Sequence, residues 1–293
     1  MVTLVSAVLV IKESTHVPQN WPVIGVAVVL FFSGGWAFAR RQEIIAQPLI
    51  TLDIFRYPAF RSGALGAALS MFALAGLQYI TTQKLQLADG LSPLRSGVYV
   101  TFAALGALVT SIYAGARLAT LGIRRLIAGG MGVATLGGVV LCLYGLVGST
   151  PLLLSGQFIM GVGFGAVMSV ASIAMVSGVP SHRAGMASAV EEVSYEFGSL
   201  TSIAVLGSLV TFFYSLLISM PTDAPAEAQE SLHSAVRLTH AAEASWADPL
   251  LAAADTAYSQ AYALISALVV IVLAVGSLYT ARILRGVTVE LED

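Results

Sequence analysis

Apolar residues run along this chain in long blocks that short polar joints separate. Read as helices, each block is long enough to cross the ~30 Å hydrocarbon core of a bilayer, which takes about 20 apolar residues. The pattern therefore predicts an all-α integral membrane protein, a polytopic bundle of about seven full transmembrane helices. The predicted spans are roughly 21–39, 62–83, 96–116, 126–147, 151–178, 185–217 and 255–283.

The first ten residues, MVTLVSAVLV, are apolar but too short to span a bilayer. They have no basic segment before them, and Lys12 and Glu13 follow, so they do not resemble a signal peptide. Their length covers about half of the hydrocarbon core. We expect them to be the second half of a helix, and the chain to be the C-terminal part of something longer or to have its start site assigned too far downstream.

Two longer segments interrupt the succession of spans. Residues 40–61 are basic and aromatic and predict a cytoplasmic connector, whereas residues 218–254 are acidic and rich in alanine. In the second segment, Asp223 with Pro225, and Asp248 with Pro249, are typical of helix starts. We expect an extracellular helical hairpin whose second helix continues into the last span. A role in gating and a plain solvated linker both remain open.

Composition agrees with a membrane protein and excludes several function classes. The chain is 57% hydrophobic and 10% charged, where soluble domains are about 25% charged. A net charge of −2 with no basic run argues against nucleic-acid binding. The single Cys142 excludes an intramolecular disulfide framework and a cysteine metal cluster. None of the four histidines lies in a span beside a serine or carboxylate, so we expect no enzyme and no cofactor.

The positive residues predict the orientation of the chain in a cell membrane, either a plasma or an inner membrane. With residues 12–20 placed outside, ten of the fourteen Lys and Arg residues fall in inside loops, and the C-terminus is cytoplasmic. The outside residues are Lys12, Lys84, Arg95 and Arg237. The inside residues are Arg40, Arg41, Arg56, Arg61, Arg117, Arg124, Arg125, Arg183, Arg282 and Arg285.

Three glutamates interrupt the apolar span at 185–217. Glu192 and Glu196 are four residues apart and share one helix face, and Glu191 lies about 100° around the helix. Counted from Arg183, Glu192 lies about 13 Å along the helix and Glu196 about 20 Å, near the middle of a bilayer. An ionised carboxylate there costs several kcal/mol unless it faces water or a partner. No basic residue lies in the core of a predicted span.

These glutamates predict either protonated acids or a binding site for cations. A site that does both in turn exchanges protons for cations, since the two compete for the same oxygens. Tyr195 and Phe197 flank Glu196, and aromatic faces attract organic cations. Ordinary packing remains open for these rings, and an interfacial position remains open for Glu191 and Glu192.

Small residues indicate close helix packing. Gly161 and Gly165 have the GxxxG spacing that lets helix backbones approach closely in lipid. The same glycines do not follow a strand within a βαβ unit, which argues against nucleotide binding.

Residues 114–126 resemble the second copy of the cytoplasmic motif of the major facilitator superfamily, roughly G-x-x-x-D-R-x-G-R-R. Gly115, Gly122, Arg124 and Arg125 match the motif, and Ala119 and Thr120 replace its Asp-Arg pair. Residues 180–208 resemble the penultimate helix of the fourteen-helix drug:proton antiporters of the quaternary-ammonium and methyl viologen resistance type. The resemblance implies that Glu192 and Glu196 help recognise cationic drugs and that a proton gradient supplies the energy.

The resemblance covers nearly the whole chain but only the C-terminal half of the family's length. It implies central helices within 1–39, a six-helix transporter domain at 62–283 and a cytoplasmic tail at 284–293. We expect that the chain alone does not transport and works with an N-terminal half-transporter or as a homo-oligomer. The alternatives are a non-transporting membrane remnant and a carrier of another small solute.

Overall fold

A computed structural model describes residues 21–44, 52–241 and 245–285, and five scattered positions before residue 21. It divides the chain into two compact units, 1–56 and 57–293. Most of the predicted half-helix at 1–10 and the tail after residue 285 lie outside the described residues. In the first unit, helix α1 (Trp21–Ile44) carries Arg40 stacked 5.1 Å from the centre of the Trp36 ring.

The described residues of the second unit are mostly helical. Its long helices are α2 (Pro58–Gln83), α3 (Pro93–Val147), α4 (Thr150–Ser177), α5 (Ala184–Leu217) and α7 (Ala247–Ile283). Between α5 and α7 lie a 3-10 turn (Ala226–Gln229) and the short helix α6 (Leu232–Ala241). Helix α7 runs without a break from the polar segment into the last apolar span.

Proline and glycine determine where several of these helices begin and end. Helices α2, α3 and α4 each have a proline in the first turn, where the missing N–H removes no helical hydrogen bond. The Ser92 hydroxyl accepts a hydrogen bond from the Arg95 amide at the start of α3. Gly148 ends α3 with a φ of 71°, which a glycine adopts without steric cost.

Helix α3 contains two spans. Gly122 interrupts it with φ 74° and ψ 157°, far from helical values. The two arms, 93–121 and 123–147, are each long enough to cross a membrane. Six described helices are long and apolar enough to span, and the break in α3 raises the number of spans to seven. The predicted bundle is therefore confirmed.

The core is built on close backbone approaches between α4 and the arms of α3. Gly161 and Gly165 lie against the backbone of Ala103 and Ala107 in the first arm. Gly163 lies against the second arm at Ala134. In each place a Cβ atom would overlap the neighbouring backbone, so glycine is required for the contact. The packing role predicted for the GxxxG spacing is confirmed.

Helix α2 extends beyond the span predicted at 62–83 at both ends. Helix α2 begins at Pro58, four residues before the predicted span. At its other end the helix does not stop at Gln83 but continues through a π-helical turn, Lys84–Ala88. Lys84, predicted to lie in an outside loop, is 3% exposed because this turn carries it inside the bundle.

Candidate functional site

The three glutamates lie on α5, whose buried side is made of small and apolar residues. Ala187, Glu191, Gly198, Ser202 and Leu206 recur at helical spacing and are all buried. Gly198 lies against the Ala68 backbone of α2, which brings the two helices into close contact. Glu191 therefore belongs to the stripe of α5 that packs into the bundle.

Glu191 is enclosed by hydroxyl groups. Its side chain is 9% exposed. The Ser172 hydroxyl of α4 donates to Glu191 Oε2 at 3.1 Å, and the Tyr195 hydroxyl donates to Oε1 at 3.3 Å. Neither donor carries a positive charge, so the pair stabilises a carboxylate by hydrogen bonding alone. Because hydroxyl groups can also accept, the same partners suit a protonated acid.

Glu192 and Glu196 lie on the exposed side of α5, about 100° and 140° around the helix from Glu191. Val193, 44% exposed, and Phe197, 61% exposed, belong to the same broad exposed side. Carboxylates on an apolar face are expensive in lipid unless they are protonated or meet water or a polar partner. This acidic face is thus unsuited to simple contact with acyl chains while its glutamates are charged.

The five predicted site residues thus separate into two groups. Glu191 and Tyr195 are joined by a hydrogen bond inside the bundle, whereas Glu192, Glu196 and Phe197 face outward. Sequence reasoning missed Ser172, because nothing in the sequence around a serine of an apolar helix indicates that it contacts Glu191, nineteen residues later. Two aromatic residues of α4 differ in exposure, since Phe158 is 39% exposed whereas Phe164 is 1% exposed and belongs to the core.

The motif residues at 115–125 lie around the break in α3. Gly122 supplies the break itself. Arg124 Nε donates to the Ala281 carbonyl at 2.9 Å, in the last turn of α7, where a cation also complements the helix dipole. Arg125 is exposed, and Gly115 has open space around it. Only Gly122 and Arg124 therefore have a defined structural task.

The described residues contain no group of three histidine, cysteine, aspartate or glutamate side chains that could hold a metal ion. The functional groups described above are carboxylates, hydroxyls and aromatic rings.

Helices that are long and apolar enough to cross a bilayer define a polytopic membrane protein. A sequence profile of the Major Facilitator Superfamily matches residues 2–203, more than half of the chain. The chain belongs to that superfamily, whose members are transporters and not enzymes.

Relatives support this assignment. The multidrug efflux pump LfrA of Mycolicibacterium smegmatis is 28% identical over 269 residues, covering 89% of this chain and 52% of LfrA. The methyl viologen resistance protein SmvA of Salmonella typhimurium is 29% identical over 251 residues, covering 82% of this chain and 50% of SmvA. This chain thus spans about half the length of the curated relatives it matches.

A solved structure has the same fold. The crystal structure of a bacterial homologue of the human lysosomal transporter Spinster, inward-facing and unoccupied, superimposes with a TM-score of 0.62. The identity is 18%, and the match covers 91% of this chain and 58% of that one.

Proposed function

We propose that this chain provides the C-terminal half of a proton-coupled efflux transporter that exports organic cations, quaternary ammonium compounds included. The observation that carries the proposal is the acidic face of α5, where Glu192 and Glu196 are exposed within an apolar span. The names of the relatives, a multidrug efflux pump and a methyl viologen resistance protein, agree with cationic substrates.

Glu192, Glu196 and Phe197 bind the cation in this proposal. Two carboxylates on one helix face provide opposite charge, and an adjoining exposed ring provides the aromatic surface that quaternary ammonium groups prefer. Glu191, held by Ser172 and Tyr195, is shielded from a large substrate and takes up the proton. Binding of the cation and protonation of Glu191 then oppose each other, because each reduces the negative charge that attracts the other.

Transport by this chain also depends on a second half. Substrate sites in this superfamily lie between two halves that rock against each other. We propose that the acidic face is completed by an N-terminal half-transporter or by a second copy, in a plasma or inner membrane with the C-terminus cytoplasmic.

The test is binding of ethidium and methyl viologen by the purified chain in lipid nanodiscs. We expect binding that weakens as pH falls, and a loss of at least about tenfold, or ~1.4 kcal/mol, in the double variant Glu192→Gln with Glu196→Gln. Glu191→Gln should reduce the pH dependence more than the affinity. The matched control is Glu230→Gln, an exposed acid in the segment before α6, which should change neither.

Efflux from cells expressing the chain, alone or with an N-terminal half, separates the remaining outcomes. Binding that the double variant leaves unchanged would refute the proposed site. Absence of cation binding with an intact fold, both by the chain alone and together with an N-terminal half, would favour a membrane remnant or a carrier of another solute. Robust proton-dependent efflux by the chain alone would refute the need for a separate half.

A further inference from the structure

A buried cation lies at the end of the bundle where α2 ends and α7 begins. Lys84 and Glu191 are the charged side chains that are buried among the described residues, and they belong to different sites. Lys84 lies in the π-helical turn that extends α2. A buried ammonium is retained only where partners compensate its lost hydration.

Lys84 bridges two carboxylates. Its Nζ atom donates to Asp89 Oδ1 and to Asp255 Oδ1, both at 3.0 Å. Asp89 belongs to the turn that follows α2, whereas Asp255 belongs to α7. The ammonium also lies 5.9 Å from the centre of the Tyr144 ring, near the end of α3. One side chain therefore contacts three parts of the bundle.

Neighbouring hydrogen bonds join the same helices. The Tyr258 hydroxyl of α7 donates to the Ile80 carbonyl of α2 at 3.1 Å. The hydroxyls of Thr81 and Tyr262 share a hydrogen bond of 3.0 Å. Tyr262 also packs edge-on against Tyr144, with 5.6 Å between ring centres. The Lys84 bridge is thus the charged member of a polar layer between α2, α3 and α7.

The segment between α5 and α7 contains an ion pair that is exposed to solvent. Arg237 and Glu227 are 3.6 Å apart, and their side chains are 63% and 65% exposed. Water and ions screen such a pair, so its removal changes little. The side chain of Lys84 is instead 4% exposed, so water and ions screen its attraction to the two aspartates much less.

We propose that Lys84 is a positioning residue whose bridge to Asp255 clamps the start of α7 against the end of α2 and so keeps the contact between α3 and α7 closed. Asp89 holds Lys84 in place from within its own segment but does not tie α7. The two aspartates therefore have different tasks although both contact the same ammonium.

Cys142, the chain's single cysteine, reports on this clamp. It lies on α3, partly buried, and its thiol donates to the Ala263 carbonyl of α7 at 3.4 Å. Ala263 is about 12 Å along α7 from Asp255, so loosening the start of α7 exposes the thiol. The experiment measures the rate of Cys142 labelling by N-ethylmaleimide in the full chain in nanodiscs.

We expect Asp255→Asn and Lys84→Met each to raise the labelling rate by about tenfold or more, since labelling follows the population of the locally open state. Asp89→Asn should change the rate less than about twofold, because the bridge to α7 remains. Arg237→Met is the surface control and should leave the rate unchanged.

The double variant Lys84→Met with Asp255→Asn separates loss of the bridge from a charge effect, because it removes both the ammonium and the α7 carboxylate of the pair. It should label as fast as Lys84→Met while retaining the helical content of the wild type. Wild-type labelling rates in Asp255→Asn and in the double variant would overturn the proposal. Equal increases in Asp89→Asn and Asp255→Asn would also overturn it, since they would show a charge effect without a clamp.

Discussion

Replacing Gly161 by alanine is a direct test of how the bundle is packed. A Cβ atom there would lie 2.7 Å from the carbonyl carbon and 2.9 Å from the Cα atom of Ala103, and closer still to its oxygen. These are backbone atoms of α3, so no side-chain rotation relieves the overlap. The two helices must move apart, and the contact at Gly165, one turn later on the same face, opens with them.

The magnitude follows from two opposing terms. Overpacking in a close-packed interior costs typically ~1–3 kcal/mol, and here the obstacle is backbone, so we take the upper end. Alanine in place of glycine inside a helix regains about 1 kcal/mol. We therefore expect Gly161→Ala to lower the free energy of unfolding by about 2 kcal/mol.

Gly129 provides the matched control, since it is also a glycine within a helix but no atom lies within 4 Å of an added Cβ. Gly129→Ala should be neutral or more stable by up to about 1 kcal/mol. Reversible unfolding by dodecyl sulfate in mixed micelles, followed by far-ultraviolet circular dichroism, measures both variants. Equal stabilities of the two alanine variants would refute the close approach of α4 to α3.

Two further substitutions test the break in α3 and an unpaired buried amide. Gly122→Ala should lower the free energy of unfolding by about 2 kcal/mol in the same assay, because a φ of 74° with a ψ of 157° is nearly exclusive to glycine. Gly115→Ala, at a helical position with open space, should not lower it. Equal effects of the two substitutions would contradict the reasoning. Gln157 is fully buried, and neither amide atom has a hydrogen-bond partner in the described part of the chain. Gln157→Met should therefore stabilise the protein by about 1 kcal/mol, and a destabilised variant would show that the amide is paired.

Sequence reasoning was most successful where lipid imposes a requirement on composition. A span must be long and apolar, so the blocks of hydrophobic residues indicated the helices of the bundle directly. A carboxylate in such a block is conspicuous, and the three glutamates of α5 were found for this reason. The glycines at 161 and 165 were equally visible, because few other residues permit backbones to touch.

Boundaries were less predictable at the polar ends of the spans. Hydropathy alone predicts that Lys84 lies in a loop, because a lysine one residue beyond an apolar block usually lies at the surface. Its burial depends on Asp255, which is distant in the sequence and reaches it only when α7 packs beside α2.

The sequence by itself determined that this protein is a membrane-spanning helical bundle with acids in one span, because hydropathy, helix length and residue spacing are local properties. Only the tertiary structure decided which acid is enclosed and which are exposed. Glu191 is buried because Ser172 of α4 and the close contact of Gly198 with α2 lie on its side of α5, whereas Glu192 and Glu196 are exposed. Side-chain environment is set by the packing of helices distant in sequence, and no local pattern encodes it.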